Sequence, residues 1–225
     1  MKKSFIVTAI LSFVIAASQA QSNVPNPKPN FWDDVQVIKK YDGMFMPPKT
    51  PLLFTGSSSI RKWDDAQWKF ADYNALNRGI GGAETNDIIY YLNELVFKYK
   101  PKQLVIYVGE NDMVDGKAPA GADTVYARTL KLYGLIRAKM PDLPIIYIGM
   151  KPSPSRAKIM PEEVKFNQMA KDFFAKEQNV VFVDVYPLML DNGKLRPELY
   201  VGDKLHMTKL GYDIWEKAIW PYLIK

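Results

Sequence analysis

Five short apolar runs punctuate the chain: PLLFTG (51–56), YNALNRG (73–79), QLVIYVG (103–109), PIIYIGM (144–150) and VVFVDV (180–185). Several are almost continuously hydrophobic, as parallel strands covered on both faces must be. Between them the period becomes helical. Ile88, Tyr91, Leu92, Leu95 and Val96 share one face of a helix over 86–98, and Val125, Leu130, Tyr133 and either Leu135 or Ile136 do so over 123–139. Val164, Phe166, Met169, Phe173 and Phe174 mark a helix over 161–177. Leu210, Ile214, Trp215 and Ile219 mark a closing helix, and Phe31, Val35 and Ile38 an opening one near 31–41. Strands and helices alternating in this way predict an α/β sandwich around a parallel sheet. With no internal repeat and no break in the alternation, residues 31–225 are expected to form a single domain.

The N-terminus does not share this pattern. A basic MKK, the 13-residue apolar stretch FIVTAILSFVIAA and the small-residue end SQA have the layout of a secretory signal peptide over 1–20, cut after Ala20. The apolar stretch is shorter than the ~20 residues a membrane span needs. Residues 21–30, QSNVPNPKPN, then read as an extended, poorly ordered arm. The expected location is the periplasm or the outside of a bacterial cell, with no stable membrane anchor after the leader is removed. There is no cysteine, which excludes disulfides, thiolate metal sites and a lipid-modified N-terminal Cys. Removing the leader takes away Lys2 and Lys3 and lowers the net charge from +6 to +4, too little and too dispersed for a nucleic-acid footprint.

In parallel sheets ligands bind beyond the carboxyl ends of the strands. Here those positions hold GSSS, NRGIGGAETND, VGENDM, MKPSPSR and the long loop PLMLDNGKLRPELYVGDKLH. The chain has one histidine, His206, so any imidazole working as a proton shuttle near neutral pH is this one. Asp203 stands three residues before it, in reach to orient the ring as the acid of a serine triad does. Otherwise His206 is a solvated loop residue. Ser57, Ser58 and Ser59 follow a strand and open a helical pattern, where a hydroxyl can be a nucleophile or an N-cap. Ile60 replaces the last glycine of G-x-S-x-G, which argues against an α/β-hydrolase elbow. Gly79, Gly81 and Gly82 allow backbone to approach a ligand or make a tight turn, without the pattern of a phosphate-binding loop. Asn111 can offer its amide to an oxyanion or end the strand in an Asx-turn. One histidine, no cysteine and scattered carboxylates imply no metal site.

Together, F-T-G-S-S-S-I, N-R-G-I-G-G, G-E-N-D and D-K-L-H resemble the four blocks of the SGNH hydrolase superfamily, the GDSL-type esterases and lipases. Order and spacing agree over residues 52–206. The resemblance implies Ser58 as nucleophile, Asp203 and His206 as its acid and base, and an oxyanion hole made by Ser58, Gly82 and Asn111. Two positions depart from the family pattern. Ser57 replaces the usual Asp before the nucleophile, and Glu110 replaces the usual Gly before the asparagine. The expected fold is a three-layer α/β/α sandwich on a flavodoxin-like five-stranded parallel sheet.

The activity implied is hydrolysis of O-acyl esters through an acyl-enzyme, without a cofactor. Short inter-strand connections favour an open site and short acyl groups, with acetyl esters of carbohydrates as the expected substrate. Lysophospholipids or other lipid esters are the alternative within the family; a catalytically silent glycan- or lipid-binding module is the alternative outside catalysis. Glu110, Arg78 and Lys151 are the expected substrate contacts, with Arg61 a further cation near a strand end.

Overall fold

The computed structural model describes residues 28–114 and 120–225. The leader over 1–20 and most of the arm over 21–30 lie outside the described residues. The end of the arm is firmly held, contrary to expectation: the Tyr91 hydroxyl donates to the Asn30 carbonyl at 2.7 Å, and Trp32 N–H donates to the Pro29 carbonyl at 3.2 Å.

The five apolar runs are the strands of one sheet: β1 Leu52–Gly56, β2 Leu76–Gly79, β3 Gln103–Tyr107, β4 Ile145–Ile148 and β5 Val180–Val183. All pair in parallel in the order β2-β1-β3-β4-β5. That is the flavodoxin-like order, with its switch at β1, where the chain leaves toward β2 on one side and β3 on the other. Alternate side chains feed two cores, so each strand needs apolar residues in succession. Leu53, Leu104, Ile106, Ile145 and Tyr147 serve one face. Leu52, Phe54, Val105, Tyr107, Ile146 and Ile148 serve the other.

The first face is covered by residues of α1 (Trp32–Met44), α4 (Thr85–Tyr90), α5 (Leu92–Leu95), α6 (Ala122–Lys139) and α7 (Met160–Phe174). The second is covered from α2 (Ser58–Arg61), α3 (Ala66–Lys69) and α8 (Lys209–Ile219). The result is a three-layer α/β/α sandwich.

Several expectations need correction. The helix over 86–98 is broken: α4 stops at Tyr91 (φ −100°, ψ 20°), whose hydroxyl is committed to Asn30, and Val96 leaves helical geometry after α5. In α6 the buried residue is Ile136, while Leu135 is exposed. In α7 the buried face is Glu163, Phe166, Asn167, Ala170 and Phe174, and Val164 is exposed. That face has helical spacing, but two of its members are polar. Leu210 is exposed too, because α8 buries Gly211, Tyr212, Trp215 and Ile219. The long last loop contains a hairpin of β6 (Leu190–Asp191) and β7 (Lys194–Leu195), turned by Asn192 and Gly193 at φ 47° and 77°. Asn-Gly is a strong signal for such a turn.

Candidate active site

Sheet register brings the first three loops to one level. Gly56 at the end of β1 lies opposite Gly79 of β2 and Tyr107 of β3. GSSS, IGGA and VGEN therefore leave the sheet side by side. Gly56 (φ +134°) is required at this crossing, since a Cβ there would stand 1.9 Å from the Tyr107 carbonyl oxygen. Ser57 N–H donates to that same oxygen at 2.9 Å, and the chain turns at once into α2. Ser57 is the N-cap by position but makes no side-chain cap hydrogen bond.

The turn presents Ser58 Oγ to His206, with Nε2 at 2.8 Å. The other ring nitrogen, Nδ1, lies 2.6 Å from Asp203 Oδ2. Asp203 Oδ1 accepts from the backbone N–H groups of Leu205 and His206, both at 2.9 Å. Partial burial works against the charge of Asp203, but the hydrogen bonds from the His206 ring and these two N–H groups outweigh it. The carboxyl is held well below the usual range.

Packing supports this alignment. Tyr200 and Met207 form an antiparallel bridge, and Val201 N–H donates to the His206 carbonyl at 2.8 Å, closing the loop that carries Asp203 and His206. Behind it, the Tyr212 hydroxyl donates to the Ser59 carbonyl at 2.9 Å. The Trp63 ring meets Tyr212 at 5.3 Å and Trp215 at 5.9 Å. These contacts tie α8, which follows His206, to α2, which begins with Ser58.

The second group of residues supplies hydrogen-bond donors. The backbone N–H groups of Ser58 and Gly82 donate no hydrogen bond among the described residues. Gly82 has φ +82°, a conformation that a side chain would strain. Asn111 Nδ2 donates one hydrogen to the Ala83 carbonyl at 3.0 Å, which docks it beside Gly82 and leaves its second hydrogen available. The alternative, an Asx-turn, is not adopted: the amide oxygen accepts from Arg156 instead. Its neighbour Asp112 anchors the loop, accepting from Thr85 N–H at 2.9 Å and Arg128 Nη1 at 2.6 Å.

The expected substrate contacts are placed differently. Arg78 is committed to Asp42 and to the Tyr99 hydroxyl at 2.6 Å. Glu110 and Lys151 are buried and paired, with Lys151 Nζ 3.2 Å from both Glu110 oxygens. The Tyr107 hydroxyl also donates to Glu110, at 2.5 Å. Burial opposes ionisation of Glu110, but Lys151, Arg156 and the Tyr107 hydrogen bond hold its carboxyl below the ordinary range. Both side chains are thus buried and committed to each other. At the rim, Arg61 pairs with Asp34 at 3.5 Å, and its guanidinium lies against Gly81. The Phe31 ring lies beside Gly82, 3.7 Å from where a Cβ would be.

Two residues were missed. Arg156 donates from Nη2 to Asn111 Oδ1 at 2.8 Å, and Glu163 is wholly buried with no hydrogen-bond partner among the described residues. Arg156 closes the MKPSPSR segment after β4, a strand end already marked as polar. Glu163 shares helical spacing with Phe166, Asn167, Ala170 and Phe174, so a search for charged residues on apolar faces would have found it.

A chain of carboxylate, imidazole and hydroxyl, beside unpaired N–H donors, is equipped to activate an oxygen nucleophile and stabilise an oxyanion. Residues 54–214 match the model of the GDSL-like Lipase/Acylhydrolase family. The chain is 30% identical over 175 residues to platelet-activating factor acetylhydrolase IB subunit alpha2 of Rattus norvegicus, covering 72% of this chain and 70% of that protein. A GDSL-like lipase from Bacteroides thetaiotaomicron superposes with a TM-score of 0.67 at 23% identity, covering 84% of this chain and 97% of that one. An acetylxylan esterase from Geobacillus stearothermophilus does so with a TM-score of 0.62 at 18% identity, covering 78% and 95%. The protein is thus a member of the GDSL-like lipase/acylhydrolase family, within the SGNH hydrolase superfamily.

Proposed function

We propose that this protein is a serine esterase that removes short acyl groups, above all acetyl, from O-acylated carbohydrates. Ser58 attacks the ester carbonyl while His206 Nε2 takes its proton, and Asp203 holds the ring and stabilises the imidazolium. The N–H groups of Ser58 and Gly82 and the Asn111 amide receive the oxyanion. The alcohol leaves with the proton from His206, and water then hydrolyses the acyl-enzyme by the same route. The observation that carries this reading is the 2.8 Å contact from His206 Nε2 to Ser58 Oγ, in line with the 2.6 Å contact from Nδ1 to Asp203.

Short acyl groups are supported by the Phe31 ring beside Gly82, 3.7 Å from where a Cβ would be. The name of the 30% identical rat relative, an acetylhydrolase, points the same way. The family description, lipase as well as acylhydrolase, favours a second reading, an ester on a lipid. A panel of p-nitrophenyl esters from acetate to decanoate, with acetylated xylan, chitin fragments and an acetylated lysophospholipid, separates the two. The expected result is highest kcat/KM on acetate and release of acetate from the glycans; preference for the lipid would sink the carbohydrate assignment. A fluorophosphonate probe is expected to label Ser58, whereas a silent binding module would not react. The leader composition further supports export to the periplasm or beyond, and N-terminal sequencing of the mature protein should begin at Gln21.

A further inference from the structure

Arg156 belongs to none of the four sequence blocks, yet it is bonded to the carboxamide assigned to the oxyanion hole. Its side chain is only 11% exposed. Nη2 donates to Asn111 Oδ1 at 2.8 Å, and Nε stands 3.6 Å from Glu110 Oε1. Glu110 is itself fixed by Lys151 and by the Tyr107 hydroxyl. The guanidinium therefore stands beside a buried carboxylate that is itself paired.

The chemistry of its two neighbours dictates how Asn111 must sit. A guanidinium only donates and a backbone carbonyl only accepts. Arg156 must therefore meet the amide oxygen, and Ala83 must meet the amide nitrogen. A cation bonded to the oxygen also draws electron density from the amide and makes its N–H groups stronger donors. We propose that Arg156 is a positioning residue of the oxyanion hole, pinning and polarising the Asn111 carboxamide from behind while Glu110 and Lys151 hold it in place. This rests on the reading of Asn111 as an oxyanion donor.

Two further features fit this arrangement. Burial, followed by the nearby Glu110 charge, pushes the Glu163 carboxyl up to about 9. Near neutral pH it is uncharged and does not draw the guanidinium away from Asn111. The segment carrying Arg156 is also tied to the histidine loop, where Ser155 N–H donates to the Lys204 carbonyl at 3.0 Å, and is turned on itself by Arg156 N–H donating to the Ser153 carbonyl at 3.1 Å. One short segment thus braces both halves of the site.

The test is a double-mutant cycle on p-nitrophenyl acetate with full kcat and KM determination. Arg156→Gln should lower kcat roughly tenfold to a hundredfold, short of the 10²–10³ expected for losing the whole donor in Asn111→Ala. KM should stay within about threefold, because the interaction strengthens only as the oxyanion forms. In the Asn111→Ala background, the same Arg156→Gln change should lower kcat by less than about threefold, since its target is gone. Arg156→Lys keeps the charge but not the fork and should fall between wild type and Arg156→Gln.

An unchanged kcat in Arg156→Gln, or a full multiplicative loss on top of Asn111→Ala, would overturn the proposal. So would unfolding of both Arg156 variants by circular dichroism, which would assign the residue to stability alone. Full activity in Ser58→Ala would instead defeat the esterase reading itself. An inactive Ser58→Ala and a slow Asn111→Ala beside a normal Arg156→Gln would defeat only the role of Arg156.

Discussion

Asp203 and Glu110 are both carboxylates held below their ordinary range, and both support the site, yet they do so under opposite conditions. The Asp203 side chain is 43% exposed and sits on a surface loop, fixed by two backbone N–H groups and the histidine ring. The Glu110 side chain is 4% exposed and relies on full charge pairing with Lys151, which is 0% exposed. Near water, a charge can be reoriented and shared with solvent at small penalty. In the interior, an unpaired charge costs several kcal/mol. On the proposed mechanism, the acid–base half of the site should express itself in turnover, and the buried half in stability and donor geometry.

Substitutions on each side can break or sharpen that contrast. The largest effect should come from His206→Ala, which removes the only imidazole; loss of such a member lowers kcat by about 10⁴–10⁶. Turnover of p-nitrophenyl acetate should fall to that extent while the thermal midpoint stays near wild type. A large fall in the midpoint would mean that His206 belongs to the structural half after all.

Asp203→Asn should follow, with kcat reduced by about 10⁴ or less, since water can partly solvate the imidazolium at this exposed position. The same residue carries an acid-side signature. Its pKa is depressed on folding, so its contribution is present above the ordinary value of 3.8 and is lost as pH falls below it. Relative to wild type, Asp203→Asn should show a shallower loss of stability below about pH 4 in denaturant titrations.

Lys151→Met reverses the balance. It strands Glu110 in the interior and should destabilise the fold by about 3 kcal/mol, or up to ~5, measured by urea unfolding. A stability change below ~1 kcal/mol would show that Arg156 alone suffices for Glu110.

The last effect appears only as a slope with pH, small over any single pH unit. Glu163 has a folded pKa of about 9 against an ordinary value of 4.5, so the folded chain retains a proton that the unfolded chain releases. Its contribution is full below about 4.5 and is lost as pH rises toward about 9. Glu163→Gln should thus gain stability relative to wild type between pH 5 and pH 8, by at most ~1.4 kcal/mol per pH unit. A parallel pair of stability–pH curves would refute the neutral, buried carboxyl.

Much of this molecule was legible before any coordinates. All five strands lie within the apolar runs, because covering a sheet on both faces demands consecutive hydrophobic residues and leaves little else such runs can be. His206, with Asp203 three residues before it, stood out because the chain has one histidine, whereas Ser58 was singled out from Ser57 and Ser59 only by the resemblance to the SGNH hydrolases. Helical faces were less so: in α7 the apolar pattern selected Val164, whereas the buried face runs through Glu163 and Asn167. Periodicity scores polar residues as outward, and a polar residue is inward only where other elements supply partners or tolerate a neutral acid.

The sequence by itself determined the order of elements and the sheet they form, since these follow from local pattern, and its four blocks pointed to the candidate reacting groups. Tertiary structure alone decided which cations are free and which are committed. Arg78 was drawn to Asp42 and Tyr99, Lys151 to Glu110, and Arg156 to Asn111. Those pairings join residues 21 to 45 positions apart, and no local pattern specifies them. They arise because sheet register and loop packing bring charges together where little water can screen them.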